Sequence, residues 1–585
     1  MRIEKLGVTF KSWENIGVDP FSQFRKPSFP SMSYDTFKYS LPETGKSDNN
    51  NKLLMKAGLI AGACLVGAAG IYKLAKGPKM AAKPTSEFAE LKQIYSKITE
   101  RFPEDKKYYS TLAQNIGLEK GEEFRLTSIV GEQQLTSLLK TYTSEDFMNG
   151  ENLEGVKNLT FRVNLHNHTQ ASDGKLSVAE FLEQSRKWAD RIAEKSPKSD
   201  GKPPFTIAIT DHDTLDGVKE AVKIISKDPL KYKNLRVVLG SEISVSHLGK
   251  AEVQKPFNFE LIGYGLNPFA KNMNELLTTI GKGRSAAMGK FIGDTKKEFP
   301  QYNLNTEETK IFHPNLAKVR TNGILYLTKD YLKFKMLLTD YTKAINENLI
   351  KDSSKKLNAD GLFKDLSSDY YYRMDAQGIK DMTLYFKEYG LKSQLQKSGV
   401  LTPENEQKYN EIFNQDFSRQ DNFLKRLLDR SLPTVDDKKG YIITPDEVFA
   451  AARKDGSTGF FGFAHPGFIR PGGDVYSESM KDYCRNSEFS NRWEYPVFKK
   501  LLLKLRNENP DLFKATEANY QSYGKLNDTP EQQKNWLNFI RNLTEENDML
   551  KAGGVDCHKT SIFKKHKNLT EDEINMCDLK DIIGS

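Results

Sequence analysis

The pattern of hydrophobic and polar positions divides the chain into a strand-and-helix body and a helical segment that interrupts it. Seven short runs have the length and residue types of strands, and amphipathic helical stretches lie between them. The runs are FRVNL (161–165), TIAIT (206–210), LRVVLG (235–240), FELIGYG (259–265), GFFGFA (459–464), KATEA (514–518) and KAGGV (551–555). Strands that alternate with helices are usually parallel and joined by helical crossovers, so the pattern predicts a barrel or a doubly wound sheet.

Capping signals mark where several of the helices begin. Ser177 and Thr444 are each followed three residues later by a glutamate, and Thr529 is followed by Gln532 at the same spacing. In such a capping box the two side chains satisfy backbone N–H groups at the helix start. We therefore expect helices to begin directly after Ser177, Thr444 and Thr529. Pro445 is then the first residue of the helix that follows Thr444.

The same pattern predicts seven consecutive segments. Between the two halves of the body, from about residue 267 to 441, the chain is almost entirely helical in pattern and rich in Lys, Tyr and Asp. We interpret this part as a helical insertion. The predicted segments are a disordered N-terminal segment (1–51), a hydrophobic helix (52–77), a helical lead-in (84–158), the first half of the body (159–268), the insertion (269–440), the second half (441–560) and a C-terminal tail (561–585).

The hydrophobic helix is a candidate membrane anchor. No charged residue lies between Ala57 and Tyr72, and lysines flank the run on both sides. This length is slightly short of the roughly 20 residues that span a bilayer. The lysines after it favour a cytoplasmic catalytic domain held at the cytoplasmic face of the membrane through Leu53–Ala75. A buried helix of a soluble protein is the alternative.

Composition changes this picture only mildly. The net charge of +9 and the pI near 8.9 favour phosphate-bearing ligands or an anionic membrane, although a lysine-rich solvated surface explains them equally simply. The four cysteines form no CxxC pair, which argues against a disulfide scaffold and against a structural zinc site.

Histidines and carboxylates recur where the predicted strands end. Residues i and i+2 lie on the same face of a strand, so His166 and His168 point the same way, as do Asp556 and His558. Five of the chain's eight histidines, with three carboxylates, occupy such strand ends. The eight residues are His166, His168, Asp173, His212, Glu242, His465, Asp556 and His558. Barrel folds place their active sites at the C-terminal ends of the strands, so these residues form one candidate site.

The number and type of these residues indicate metal binding. Eight imidazole and carboxylate groups exceed the needs of one tetrahedral site, so they predict two or three divalent ions. Mixed nitrogen and oxygen ligands suit Zn²⁺, Mn²⁺ or Fe²⁺, with Mg²⁺ a weaker fit. Because the first and last strands of a barrel are neighbours, we expect His168 and Asp556 to share ions and to lie within about 8 Å of each other.

The motifs NLHNHTQASDG, ITDHDT, GSEIS, FELIGYG, AHPG and GGVDCH also occur in a recognisable order. They resemble the polymerase-and-histidinol-phosphatase (PHP) superfamily, and most closely its phosphoesterase branch, over roughly residues 160–270 and 440–560. This resemblance implies a distorted seven-stranded (β/α) barrel that holds a trinuclear metal centre. It also implies that the eight strand-end residues are the metal ligands.

Two positions depart from the PHP pattern. FELIGYG has Glu260 where the family has a histidine, and FHPNLAK (312–318) has Asn315 where the family's GRPHIA-like segment has one. Glu260 can still bind a metal through oxygen. Both departures bear on substrate choice and on the strength of the activity.

The leading functional hypothesis is a metal-dependent phosphoesterase that hydrolyses phosphomonoesters or small nucleotide or oligonucleotide esters. Its partner is then a phosphorylated small molecule or a short nucleic acid. Arg470 is a candidate phosphate-binding residue because a guanidinium can contact two phosphate oxygens, and an exposed loop arginine is the alternative. The competing hypothesis is a membrane-tethered binding or scaffold protein built on a degenerate barrel.

Overall fold

The structure is a computed structural model that describes eleven stretches of the chain. They are residues 86–148, 161–195, 201–250, 253–320, 324–414, 422–427, 443–456, 459–466, 470–471, 494–520 and 530–558. The predicted disordered N-terminus, the hydrophobic segment Leu53–Ala75 and the predicted tail 561–585 lie outside them. Within these stretches, no helix combines the length and the apolar character needed to cross a membrane.

A curled sheet lies at the centre of the described residues. Its strands are β1 (Ile129–Val130), β2 (Val163–Asn164), β3 (Phe205–Ile209), β4 (Leu235–Lys250), β5 (Val253–Tyr264), β6 (Phe460–Phe463), β7 (Arg470–Pro471), β8 (Phe513–Glu517) and β9 (Leu550–Ala552). The main path of the sheet runs β2-β3-β4-β5-β6-β8-β9, with β1 added beside β4 and β7 beside β5. Each of the seven predicted runs overlaps a strand of the main path.

The expectation of parallel strands throughout is wrong for β5. The pairs β2–β3, β3–β4, β6–β8 and β8–β9 are parallel, whereas β5 runs antiparallel to both β4 and β6. The reason is that β4 and β5 follow each other directly as a long hairpin, with no helix between them to reverse the direction. The pairing of β5 with β6 also places the chain before and after the insertion in one sheet.

The two ends of the sheet meet through backbone hydrogen bonds. Leu165 N donates to Gly553 O at 3.0 Å, and His168 N donates to Cys557 O at the same distance. The chain that follows β2 therefore lies beside the chain that follows β9. This contact brings together the two strand ends that carry the predicted i, i+2 pairs.

Helices pack around this sheet. Two of the predicted capping boxes are present: Ser177 and Glu180 bond each other's backbone N–H groups, as do Thr444 and Glu447, while the third involves Thr529, outside the described residues. The helices around the sheet are α1 (Ser86–Arg101), α2 (Asp105–Asn115), α3 (Glu132–Thr141), α4 (Val178–Lys195), α5 (Asp216–Lys227), α6 (Lys271–Glu298), α14 (Pro445–Lys454), α15 (Glu494–Glu508) and α16 (Pro530–Glu546).

The segment between β5 and α14 has its own hydrophobic core. Buried side chains from Met288 to Leu424 form one cluster, separate from the cluster that packs helices on the sheet. Helix α6 links the two, because its first half packs on the sheet and its second half enters the other cluster. The further helices of this segment are α7 (Thr309–Phe312), α8 (Pro314–Lys318), α9 (Ile324–Asn348), α10 (Ala359–Ala376), α11 (Met382–Tyr385), α12 (Leu391–Lys397) and α13 (Glu406–Ile412).

Candidate metal centre

All eight predicted site residues meet at one edge of the sheet. Most of them follow a strand directly, as expected: His166 and His168 follow β2, His212 follows β3, His465 follows β6, and Asp556 and His558 follow β9. Glu242 differs, since it lies inside β4, at the point where that strand leaves β3 and begins to pair with β5.

Glu242 is the centre of the cluster. Its carboxylate is fully buried and faces four imidazoles. Oxygen Oε2 lies 3.0 Å from His166 Nε2, 3.2 Å from His168 Nε2 and 3.2 Å from His212 Nδ1, and Oε1 lies 2.7 Å from His465 Nε2. A carboxylate with two oxygens in such surroundings can bridge two cations.

Asp173 and Asp556 complete the cluster on the side of His558. His558 Nε2 lies 3.2 Å from Asp173 Oδ1, and its Nδ1 lies 3.2 Å from Asp556 Oδ1. The ring of His168 stacks between those of His212 and His558, with centroids 4.3 and 4.1 Å away. His168 Nε2 is 3.3 Å from Asp556 Oδ1, so the predicted approach of the first and last strand ends is confirmed.

The donor atoms are arranged as the ligands of cations would be. His166 Nε2 and His168 Nε2 face each other at 3.2 Å, a poor arrangement for two nitrogens unless a cation or a proton separates them. The buried Nδ1 atoms of His168 and His212 make no hydrogen bond. Sets of three or four donors lie within 4.8 Å of one another, including His168–Asp173–His212–His558 and His166–His168–Glu242. The residues present therefore fit divalent metal ions with nitrogen and oxygen ligands.

Burial and charge act against each other on the protonation of the cluster. Burial opposes ionisation of Glu242, but the positive field of His166, His212 and His465 holds its pKa well below the usual range. Burial lowers the pKa of His166, but Glu517, Glu242 and Asp556 outweigh it and raise the pKa well above its ordinary value. Without a metal the charge of the carboxylates is thus balanced by protons, and metal binding would release those protons.

Glu517 is a site residue that the sequence prediction missed. It ends β8, is fully buried, and accepts a hydrogen bond from His166 Nδ1 at 2.9 Å and one from His465 N at 2.6 Å. A histidine that binds a metal commonly donates its other N–H to a carboxylate, which fixes the ring. The signal was available, because Glu517 is the second-to-last residue of KATEA, one of the predicted strands.

Two aspartates beside the ligand His212 fix the loops that carry other ligands. Asp211 accepts three hydrogen bonds at 2.7 Å, from the backbone and hydroxyl of Thr169 and from the hydroxyl of Ser172, next to Asp173. Asp213 accepts from the backbone and hydroxyl of Ser244, two residues beyond Glu242. These buried contacts fix the loops that carry Asp173 and Glu242.

Three basic residues of the helical segment reach the same loops. Arg284 of α6 donates to Asp213 Oδ2 at 2.7 Å in a fully buried ion pair. Arg320 donates to Asp213 O at 2.7 Å, and Lys318 donates to the backbone oxygens of Gln170 and Ser172. A cleft of about 500 Å³ lies between these residues and the start of α5, and its lining includes Lys318 and Arg320.

The FHPNLAK segment places a histidine near the cluster after all. His313, one residue before Pro314, caps α8 by accepting a hydrogen bond from Asn315 N at 3.0 Å. Its ring contacts Tyr371 edge-on at 4.9 Å. Burial lowers the pKa of His313 to about 4, with the charge of Asp173 acting weakly in the opposite direction. His313 is therefore neutral at physiological pH.

Two ligands adopt strained backbone conformations. His465 has φ of 25° and Asp556 has φ of 48°, in a region that non-glycine residues rarely occupy, and Asp213 also has φ of 48°. Such strain is common at functional sites, where the surrounding structure compensates for it. For Arg470, the backbone pairs with Asn258 through β7, and the side chain lies outside the description. Its phosphate-binding role stays a prediction.

Comparisons with known proteins show only distant likeness. No protein-family model and no curated protein matches the chain. A Bifidobacterium adolescentis protein, provisionally described as a metal-dependent phosphoesterase, has a similar crystal structure at 15% identity, with a TM-score of 0.31 over 72% of this chain and 96% of that one. An amidohydrolase from Chromobacterium violaceum, with bound sulfate and no metal, has 14% identity and a TM-score of 0.30 over 68% and 88%. The identities and TM-scores are too low to transfer the chemistry of these proteins to this chain.

Proposed function

We propose that this protein is a metal-dependent phosphoesterase that hydrolyses phosphomonoesters or small nucleotide or oligonucleotide esters. Two or three divalent ions, with Zn²⁺, Mn²⁺ or Fe²⁺ favoured over Mg²⁺, are held by the eight strand-end residues. The observation that carries the proposal is the convergence of four imidazoles on the buried carboxylate of Glu242, at 2.7 to 3.2 Å. Hydrophobic side chains often replace buried ion pairs without loss of stability, so the crowding of five ionisable side chains here favours a functional role.

The proposed architecture is a distorted seven-stranded barrel of the PHP kind, interrupted by the helical insertion. The seven strands of the main path and the hydrogen bonds from Leu165 to Gly553 and from His168 to Cys557 support it. In such a barrel the strand ends form one mouth, so ligands far apart in sequence reach the same ions.

The residues of the chain prepare the site for hydrolysis. When bound, the ions supply Lewis acidity that activates a water molecule and neutralises charge on the phosphoryl oxygens. Glu242 has a carboxylate oxygen on each side of the cluster and would hold ions there. Glu517 keeps the proton of His166 on Nδ1, which leaves Nε2 as a ligand. Tyr520 donates to Asp556 Oδ2 at 2.7 Å and so fixes Asp556, leaving Oδ1 for the ions.

The cleft near the cluster is lined by both cations and carboxylates. Its cations, Lys318 and Arg320, can contact a phosphate-bearing substrate, and its carboxylates are Asp216 and Glu220. The volume of about 500 Å³ lies within the usual range of small-molecule sites. We propose that this cleft accommodates the leaving group, while Arg470 binds the phosphate.

Metal analysis and a substrate panel test the proposal. The purified full-length protein should hold two to three transition metal ions, hydrolyse a nucleotide, short-RNA or sugar-phosphate substrate, and lose activity on chelation. If the protein hydrolyses amides and no phosphate esters, the proposed class of reaction is wrong and the protein is an amidohydrolase. A stable protein that binds no metal would instead favour the tethered scaffold.

The proposed location is the cytoplasmic face of a membrane, with Leu53–Ala75 as the anchor. The uncharged run between Ala57 and Tyr72 supports this. Cell fractionation tests it: the full-length protein should sediment with membranes at low salt, and a variant that lacks residues 53–75 should not. Full-length protein in the soluble fraction would contradict the anchor.

A further inference from the structure

The departure at Glu260 has a structural consequence for the metal centre. We propose that Glu260 is a ninth metal ligand, which together with Glu242, His212 and His465 forms an oxygen-rich subsite that favours a hard cation such as Mn²⁺ or Mg²⁺. This inference rests on the proposed metal-dependent function. It goes beyond that function because it divides the centre into two subsites with different metal preferences.

The side chain of Glu260 reaches the same imidazoles as Glu242. Its Oε2 lies 3.1 Å from His465 Nε2, and its Oε1 lies 3.7 Å from His212 Nδ1. One donor atom from each of His212, Glu242 and Glu260 falls within 4.8 Å of the others. His212 Nδ1 is buried and makes no hydrogen bond, although both carboxylates are near. Donor atoms at these distances with no hydrogen bond between them fit ligands of one shared ion better than they fit a simple ion pair.

The antiparallel direction of β5 explains how Glu260 reaches the centre. In the β4–β5 hairpin Glu260 is directly opposite Ser244, and Ser244 lies on the same face of β4 as Glu242. On the other side, Ala464 N donates to Glu260 O at 3.1 Å, immediately before His465. The neighbouring strands β4 and β6 thus hold Glu260 between Glu242 and His465. Glu260 reaches the centre from within a strand and not from a strand end.

The donors of the two ends of the cluster differ in kind. Because a neutral imidazole offers one lone pair, His212 counts toward one group only, and its Nδ1 faces Glu242 and Glu260. The remaining group, His168–Asp173–His558, has two imidazoles for one carboxylate, whereas the proposed subsite has two carboxylates for two imidazoles. Imidazole suits Zn²⁺ and Fe²⁺, while carboxylate oxygens suit Mg²⁺ and Mn²⁺. The side chain of Glu260 is also 19% exposed, so an ion beside it would have access to solvent and substrate. The second group is therefore the harder and more open subsite.

Metal counting on single variants tests this ligand assignment. Full-length wild type, Glu260→Gln, Glu260→His and the exposed control Glu546→Gln are loaded with an equimolar mixture of Mn²⁺ and Zn²⁺ and analysed by mass spectrometry. We expect Glu260→Gln to lose about one ion per chain, while Glu546→Gln keeps all of them. Glu260→His should keep the number of ions and raise the Zn²⁺-to-Mn²⁺ ratio by roughly tenfold or more, since it replaces oxygen by imidazole nitrogen.

A second measurement uses only the wild type and does not depend on how the variants fold. Protein loaded with Mn²⁺ is titrated with millimolar Mg²⁺, and the displaced Mn²⁺ is followed by electron paramagnetic resonance. One Mn²⁺ per chain should be released at least roughly tenfold more readily than the others, because Mg²⁺ competes best at an oxygen-rich subsite. Release of all ions together, or of none, would contradict two unlike subsites.

The outcomes separate this inference from the proposed function. Wild type that binds no metal overturns both. Wild type that binds metal and hydrolyses phosphate esters, with unchanged metal content and preference in Glu260→Gln and Glu260→His, overturns only the role of Glu260. Its carboxylate would then be an ion-pair partner of His465.

Discussion

The α/β body and the helical insertion both bury charged groups, but they treat them differently. In the insertion, the ammonium group of Lys335 is fully buried and is neutralised by Glu308 and Asp360, with the ring of Phe363 4.8 Å away. In the body, imidazoles and carboxylates crowd one another, and two ring nitrogens remain without a hydrogen bond. The first arrangement neutralises its own charge, whereas the second leaves ring nitrogens that divalent cations would satisfy.

This comparison teaches how to separate a structural buried charge from a functional one. Burial alone does not decide, because Lys335 and His166 are both fully buried. What decides is whether the donors and acceptors satisfy each other. Variants in one region or the other test whether metal binding and stability respond separately.

The largest effect is expected in the body from Glu242→Gln. This change removes the negative charge that faces four imidazoles, so at least one ion should be lost and kcat/KM should fall by about 1,000-fold or more, since a metal ion contributes several kcal/mol to transition-state stabilisation. Metal analysis and kinetics on Glu242→Gln, beside the exposed control Glu546→Gln, provide the measurement. A variant that keeps its metal and full activity would contradict the central position of Glu242.

In the insertion, Lys335→Met should affect stability and leave the metal content unchanged. The substitution leaves Glu308 without its main partner, and breaking a buried pair in this way costs about 3 kcal/mol or somewhat more. The loss of stability should be about 3 kcal/mol and not higher, because the second partner, Asp360, is half exposed and can be solvated by water. Denaturant unfolding measures it, with Lys343→Met on the same helix as the exposed control. Loss of metal from folded Lys335→Met would show that the two regions are not independent.

A smaller effect on the metal is expected from Glu517→Gln. The amide can still accept the hydrogen bond from His166, but it no longer supports the imidazole with a negative charge, so metal affinity should fall roughly 10- to 100-fold. Calorimetric titration of the metal-free protein measures this. The control is Glu132→Gln, because Glu132 pairs with Lys514 of the same strand at the protein surface. Equal affinities in the two variants would contradict the orienting role of Glu517.

The sequence was informative where the side-chain pattern itself carries the geometry. The i, i+2 pairs 166/168 and 556/558 follow short strands, so their shared face and their approach could be predicted. The position of Glu260 could not, because it depends on the antiparallel direction of β5, whereas the strand–helix pattern indicated parallel strands. The contact of Arg284 with Asp213 depends on how α6 crosses from one core to the other, and no local pattern encodes that path.

The smallest effect, and the sharpest difference between the regions, is expected from pH. The pKa values of His166, His465 and His558 are raised, because nearby carboxylates outweigh the burial that alone would lower them. A histidine with a raised folded-state pKa contributes stability that is fully present below its unfolded value of about 6.5 and is lost as pH rises through the folded pKa. The metal-free protein should therefore become less stable as pH increases above neutral.

Metal should reverse this dependence, because bound cations replace the protons and the carboxylates stay neutralised as pH rises. Thermal unfolding of metal-free and metal-loaded protein from pH 6 to pH 9 measures both curves. The Lys335 cluster offers an internal comparison: its partners are Glu308 and Asp360 and none of the candidate ligands, so Lys335→Met should lower both curves by a similar amount. Parallel curves for metal-free and metal-loaded wild type would mean that the buried imidazoles hold no protons for the cations to replace.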